Sequence, residues 1–119
     1  MITRTAIFEG RIKQGMEDRF FAEIRERLVP LWRRFPNATN VRLLRVIAAD
    51  DDALPIAMVQ QIDYPSMAAL EQAVSSPIRA EARAITLEIM EMFDGRFYHV
   101  MSEGNVATHD EEAMLESGR

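Results

Sequence analysis

Val41-Arg42-Leu43-Leu44-Arg45-Val46-Ile47-Ala48 and Ile56-Ala57-Met58-Val59-Gln60-Gln61-Ile62-Asp63-Tyr64 decide the fold. Both runs are rich in β-formers, and the charged, proline-terminated Asp50-Asp51-Asp52-Ala53-Leu54-Pro55 joins them as a hairpin would. Neither run alternates cleanly. Val41, Leu43 and Ile47 fall on one face of the first, Leu44 and Val46 on the other. In the second, Ile56, Met58 and Ile62 oppose Ala57 and Val59. A sheet built from such strands is apolar on both faces, so a single layer of helices leaves one face uncovered.

Outward from this hairpin the chain is symmetric in kind, with a helical segment and then a strand on each side. Met16 to Phe35 carries Phe20, Phe21, Ile24, Leu28, Leu31, Trp32 and Phe35 at steps of three and four, while Arg19, Glu23, Arg27 and Arg34 fall opposite. Pro30 cannot donate to the Glu26 carbonyl, so a kink or an early end is expected there. Pro36-Asn37 stops the element. After the hairpin, Met67, Leu70, Val74, Ile78, Ala82, Ile85, Ile89 and Met92 form a second stripe. One helix over 66–93 would run about 42 Å at ~1.5 Å per residue, too long for so small a sheet. Ser66 and Ser76 are each placed to cap a shorter helix, with Pro77 as a first helical residue. Residues 3–12 read as the first strand, Asp94-Gly95 as the stop after the second helical segment, and Arg96 to Met101 as the last strand.

Strand, helix, strand, strand, helix, strand is the ferredoxin-like order: an α+β fold with a four-stranded antiparallel sheet and both helical layers on one face. The sequence therefore predicts one domain over residues 1–103 and an acidic tail over 104–119, expected to fray or form a short peripheral helix. It also predicts a homodimer that pairs sheet to sheet, because burying three Leu, Ile or Val side chains contributes roughly 1.5–3 kcal/mol each.

Composition excludes several functions. The chain has 119 residues and no cysteine, which rules out disulfides, thiolate catalysis and cysteine-ligated zinc. The net charge is −5, and residues 103–119 hold −4 of it through five acids against Arg119, leaving the body at −1. Neither part supplies the basic field that nucleic acid needs. No apolar run reaches the roughly 18 residues of a membrane helix, and the N-terminus enters a strand directly, so neither a membrane span nor a signal peptide is expected. The expected compartment is the cytoplasm.

Arg33-Arg34-Phe35-Pro36-Asn37-Ala38 leading into Val41–Arg45, Ala73-Val74-Ser75-Ser76-Pro77-Ile78-Arg79, then Phe93-Asp94-Gly95 and Tyr98-His99-Val100 carry a family likeness. With the element order, they resemble the dimeric α/β-barrel superfamily, which includes antibiotic-biosynthesis monooxygenases and proteins similar to the ether-degradation accessory protein (EthD-like). The resemblance covers about residues 3–103. Pro36-Asn37 stands where such proteins often have Pro-Gly, a departure that asparagine's tolerance of left-handed backbone absorbs. The resemblance implies an aromatic or polyketide-like substrate in a pocket between sheet and helices, with Trp32 and Phe35 as walls and Tyr98 beside them. It implies oxygenation or an enolate-type rearrangement as the chemistry.

His99 is the candidate base, because histidine titrates near neutral pH and this one sits mid-strand. Arg45 or Gln60 is the candidate polar anchor. Arg42 and Arg45, three apart on a strand, point to opposite faces, so at most one lines a given pocket; ion pairing with Asp63 or Glu9 is their blander role. No cofactor or metal site is expected. His109 with Asp110, Glu111 and Glu112 would chelate only weakly, and no glycine-rich phosphate loop or serine elbow is present. Two functions remain open: a small cofactor-independent monooxygenase or isomerase, and a non-catalytic accessory or ligand-binding module.

Overall fold

Along the first strand, β1 (Ile2–Ile12), Ile2, Arg4, Ala6 and Phe8 are buried, while Thr3, Thr5, Ile7 and Glu9 are half-buried. A computed structural model of the chain, which describes residues 1–104, places this strand inside a four-stranded sheet. The others are β2 (Asn40–Arg45), β3 (Ile56–Tyr64) and β4 (Phe93–Glu103), in the order β2-β3-β1-β4 with every neighbouring pair antiparallel. This is the ferredoxin-like α+β fold that the element order predicts. The tail beyond Gly104, including His109, lies outside the described residues.

The even residues of β1 and β3 meet the helices, and Ile2, Phe8, Met58 and Ile62 share one core with Phe20, Ile24, Leu28, Leu70 and Ile89. Pro30 leaves its mark differently from the expected kink. The first helix runs as α1 (Glu17–Glu23), widens to a π-helix over Ile24–Leu28, and resumes as α2 (Val29–Trp32). The wider turn just before Pro30 accommodates a residue that cannot donate to the preceding turn. Asn37 then takes a φ of 64°, and its side-chain amide donates to the Ala69 carbonyl (3.1 Å) and to Gln72 Oε1 (2.9 Å).

The second helical segment divides as its serines predict, into α3 (Met67–Val74) and α4 (Pro77–Ile89). Ser66 accepts from the Ala69 N–H and Ser76 from the Arg79 N–H. The stop comes earlier than Asp94-Gly95, in a 3-10 turn at Met90–Met92, and β4 already begins at Phe93. Gly95 instead pairs with Gly10 across β1 and β4, both at positive φ. A Cβ on Gly10 would lie 2.2 Å from the Asp94 carbonyl oxygen, so the two backbones cross where only glycine fits. β2 is shorter than the run that announces it: Val46 donates to the Ala57 carbonyl (3.1 Å), and Ile47 is already in solvent.

Candidate functional site

Leu43, Gln60, Ala6 and His99 form one row across the sheet, each paired to the next, and all four side chains point toward the helices. Ala6 offers only a methyl group between the longer Gln60 and His99. Their backbones stand about 9.6 Å apart, two strand spacings of about 4.8 Å. Above this gap α4 presents Ala82, another small residue. Small floor and small roof leave a cavity of about 40 Å³, open at one side. Trp32 and Phe35 wall it at one end and Phe8 and Phe97 at the other. Phe97 stacks on Phe8 (centroids 5.5 Å) and meets the His99 ring edge-on (6.0 Å). Four residues singled out in the sequence, Trp32, Phe35, Gln60 and His99, thus line the same space.

Two expected site residues do not. Arg45 is on the helix side of its strand, but β2 and β4 are the two edges of the sheet, three spacings or about 14 Å apart. Its guanidinium lies 4.6 Å from the Phe21 ring centroid and pairs with Glu17. Tyr98 falls on the other face of the sheet, beside Ile7, with the Arg96 guanidinium 5.0 Å from its ring. Neither reaches His99's cavity.

Three residues the sequence reading passed over supply the charge. Arg4, one pleat along β1 from Ala6, is only 9% exposed. Arg79 and Arg83 reach the cavity from α4, with Thr86 continuing their face at i, i+4 and i+7. The signal was available. An arginine alternating with Ile2, Ala6 and Phe8 must point into the core, and two arginines beside Ala82 share the apolar stripe of their helix. The Thr86 hydroxyl donates to the Ala82 carbonyl at 2.8 Å. Arg83 extends over Phe97, 5.7 Å from its centroid.

No carboxylate balances this group among the described residues. The ion pairs there engage Arg19, Arg27, Arg42, Arg45 and Arg96, never Arg4, Arg79 or Arg83. Burial, and then the charge of Arg79, lowers the Arg4 guanidinium to about 10. Burial, and then the charges of Arg4, Arg79 and Arg83, holds His99 down to about 4. At neutral pH its imidazole is therefore uncharged, with one ring nitrogen available to accept a proton. The Tyr64 hydroxyl, buried and without a partner, is pushed up by burial and drawn down by Arg4. Among the described residues, no three His, Asp or Glu side chains gather as a metal site, and no helix is long and apolar enough to cross a membrane.

A scan against protein-family models gives no match. A search of curated proteins gives none either. Solved structures do match. An ethyl tert-butyl ether degradation (EthD) family protein from Bacillus halodurans C-125 superposes with a TM-score of 0.68 at 15% identity, over 88% of this chain and 99% of that one. The cofactor-independent oxygenase SnoaB from Streptomyces nogalater gives 0.63 at 15%, over 91% and 96%. A dimeric ferredoxin-like protein of unknown function from Jannaschia sp. CCS1 gives 0.62 at 16%, over 87% and 98%. At these identities the likeness speaks for the fold alone, a ferredoxin-like α+β fold that this chain shares with EthD-family and antibiotic-biosynthesis-monooxygenase structures.

Proposed function

We propose that this protein binds a small aromatic or polyketide-like molecule over Ala6 and acts on it with His99 as general base, without a bound cofactor. The observation that carries this reading is the neutral His99 facing Gln60 across a cavity walled by aromatic rings and lined by arginines. The imidazole takes a proton from an activated C–H or phenolic O–H. The surrounding positive charge stabilises the enolate or phenolate that is left, and the Gln60 amide orients it. Return of the proton to a different carbon gives an isomerase. Addition of dioxygen, as co-substrate, to the electron-rich carbon gives a hydroperoxide; loss of the remaining C–H proton with cleavage of the O–O bond releases water and leaves a carbonyl, the outcome of a monooxygenase. The name of the Streptomyces nogalater neighbour, a cofactor-independent oxygenase, is compatible with the second outcome.

General-base catalysis contributes about 10²–10⁴-fold, so His99→Ala should lose at least 100-fold in kcat on any accepted substrate while still binding it. Full activity in that variant contradicts the assignment. Ala6→Leu, which fills the cavity floor, should abolish binding with the fold intact.

The size of the cavity favours a second reading, a non-catalytic ligand-binding or accessory module. Among the described residues no side-chain hydrogen bond orients the His99 ring, as an oriented base would require. Turnover by the wild-type protein separates the two.

We also propose a homodimer through the uncovered sheet face. Leu44 and Val100, each 45% exposed, lie there with Ile7, Val59 and Tyr98. Sheet-to-sheet contact with a second copy removes this apolar surface from water. The Jannaschia neighbour is described as dimeric.

A further inference from the structure

Arg4 is the least explained residue in the molecule. Exposed arginines without partners are ordinary, but this one is nine-tenths buried, and two more guanidinium groups approach the same space from α4. Burying a charge among like charges destabilises a fold, and an apolar side chain in its place would relieve the cost. Such an arrangement persists in a protein when something of opposite sign completes it. The described part of the chain offers no acid at the cavity.

The dimensions narrow what that counter-charge is. A water needs about 10–15 Å³ of such space, so the 40 Å³ cavity holds about three atoms of that size. Three is the heavy-atom count of a carboxylate; a phosphate brings five. A planar carboxylate also matches the flat fork of a guanidinium, with the Gln60 amide free to donate a further hydrogen bond.

Beyond the cavity lies a broader, shallower groove of about 350 Å³. Arg83, Phe97 and His99 belong to the walls of both. Leu87, Met90 and Gly95 add an apolar floor to the groove, which runs between α4 and the edge strand β4. Leu87 is half-exposed there, so its side chain is accessible from the groove.

We infer that the ligand is an organic carboxylate, its head group held by Arg4 beside Gln60 and its apolar body lying along Phe97, Met90 and Leu87. This inference rests on reading the cavity as a ligand pocket. Held in this way, the carbons next to the carboxylate pass over Ala6 and directly beside His99, so the anion acts as the positioning anchor for whatever His99 does. It also changes His99. The groups facing the imidazole are Arg4 from β1 and Arg79 and Arg83 from α4, all positive. A bound carboxylate offsets them and raises the imidazole's affinity for a proton, so the base strengthens when the ligand arrives.

The test uses Trp32, the only tryptophan in the chain and a wall of the cavity, as a fluorescent reporter. Cyclohexanecarboxylate and its uncharged isostere cyclohexanecarboxamide are titrated at constant ionic strength. The carboxylate should bind at least tenfold more tightly than the amide. Arg4→Gln should bring it down to the amide's affinity, and Arg83→Gln should weaken it severalfold. Arg83 is exposed, so that variant decides the question even if Arg4→Gln does not fold. Equal affinity for the two probes, with no effect of the Arg83 variant, overturns the carboxylate assignment and leaves the apolar pocket standing. No response of Trp32 to either probe at millimolar concentration overturns the pocket as well. Chloride or phosphate matching the carboxylate would make the site a general anion hole and also overturn the inference.

Discussion

Asp63 and Arg4 are buried charges in adjacent strands of one sheet, on opposite faces, and their surroundings differ completely. Asp63, 5% exposed, receives a hydrogen bond from Thr3 Oγ1 at 2.7 Å and one from Asn40 Nδ2 at 3.4 Å, and Arg42 Nη2 lies 3.6 Å away. Arg4 has other arginines for company and no acid among the described residues. The first arrangement is what a charge needs to be part of a structure; the second is what a binding site looks like before its ligand is in place. The contrast is the one expected if the open face is the proposed interface, with Asp63 already satisfied, and the helix-covered face the proposed binding site.

The strongest way to break this contrast is through the open face itself. Val59→Asp puts a charge at the centre of the proposed interface, where burial without a partner costs several kcal/mol. Light scattering at micromolar concentration should give the dimer mass for the wild-type protein and half of it for the variant. A monomeric wild type removes the interface from the account. Next in size, Asp63→Ala strands Thr3, Asn40 and Arg42 and should lower unfolding free energy by about 2–4 kcal/mol in denaturant titration at fixed protein concentration.

A pH series sharpens the other side. His99 is lowered in the folded protein from 6.5 to about 4, so between these values the unfolded chain takes up a proton that the folded one refuses. The contribution is fully present above pH 6.5 and is lost as pH falls toward 4. The full shift corresponds to about 3 kcal/mol, and screening at the open side of the cavity reduces this to about 1–2 kcal/mol. His99→Gln should flatten that part of the stability profile. The smallest effect is expected for Arg4→Met, which should raise stability by about 1 kcal/mol or leave it unchanged, because it removes a charge without orphaning a partner. A loss matching that of Asp63→Ala would show that Arg4 is structurally paired after all.

Much of the fold could be read directly from residue spacing. Period-two alternation assigned the faces of Val41 to Arg45 and of Met58 to Tyr64, and Ser66 and Ser76 marked the helix starts, because these signals are local; a bulge at Ala57 takes Ile56 out of phase, opposite Glu9 and away from the face of Met58. Gln60, His99, Trp32 and Phe35 could be nominated as site residues on residue type, position and family resemblance. Arg45 could not be placed, because alternation gives the face of a strand residue but not its distance across the sheet; that depends on strand order. Tyr98 could have been set apart from His99 by alternation alone, because neighbours on a strand point to opposite faces. Arg79 and Arg83 border the apolar stripe beside Ala82, but helix spacing alone does not say that the sheet beneath them carries Arg4.

The most direct test of the central claim is an NMR titration of the His99 imidazole, with His99→Gln used to separate its resonances from those of His109. The account predicts a midpoint near pH 4 in the free protein, moving up by at least one unit when cyclohexanecarboxylate saturates the site. A midpoint near 6.5 that the carboxylate does not move would mean that His99 stands in solvent, away from the arginines, and would contradict the account.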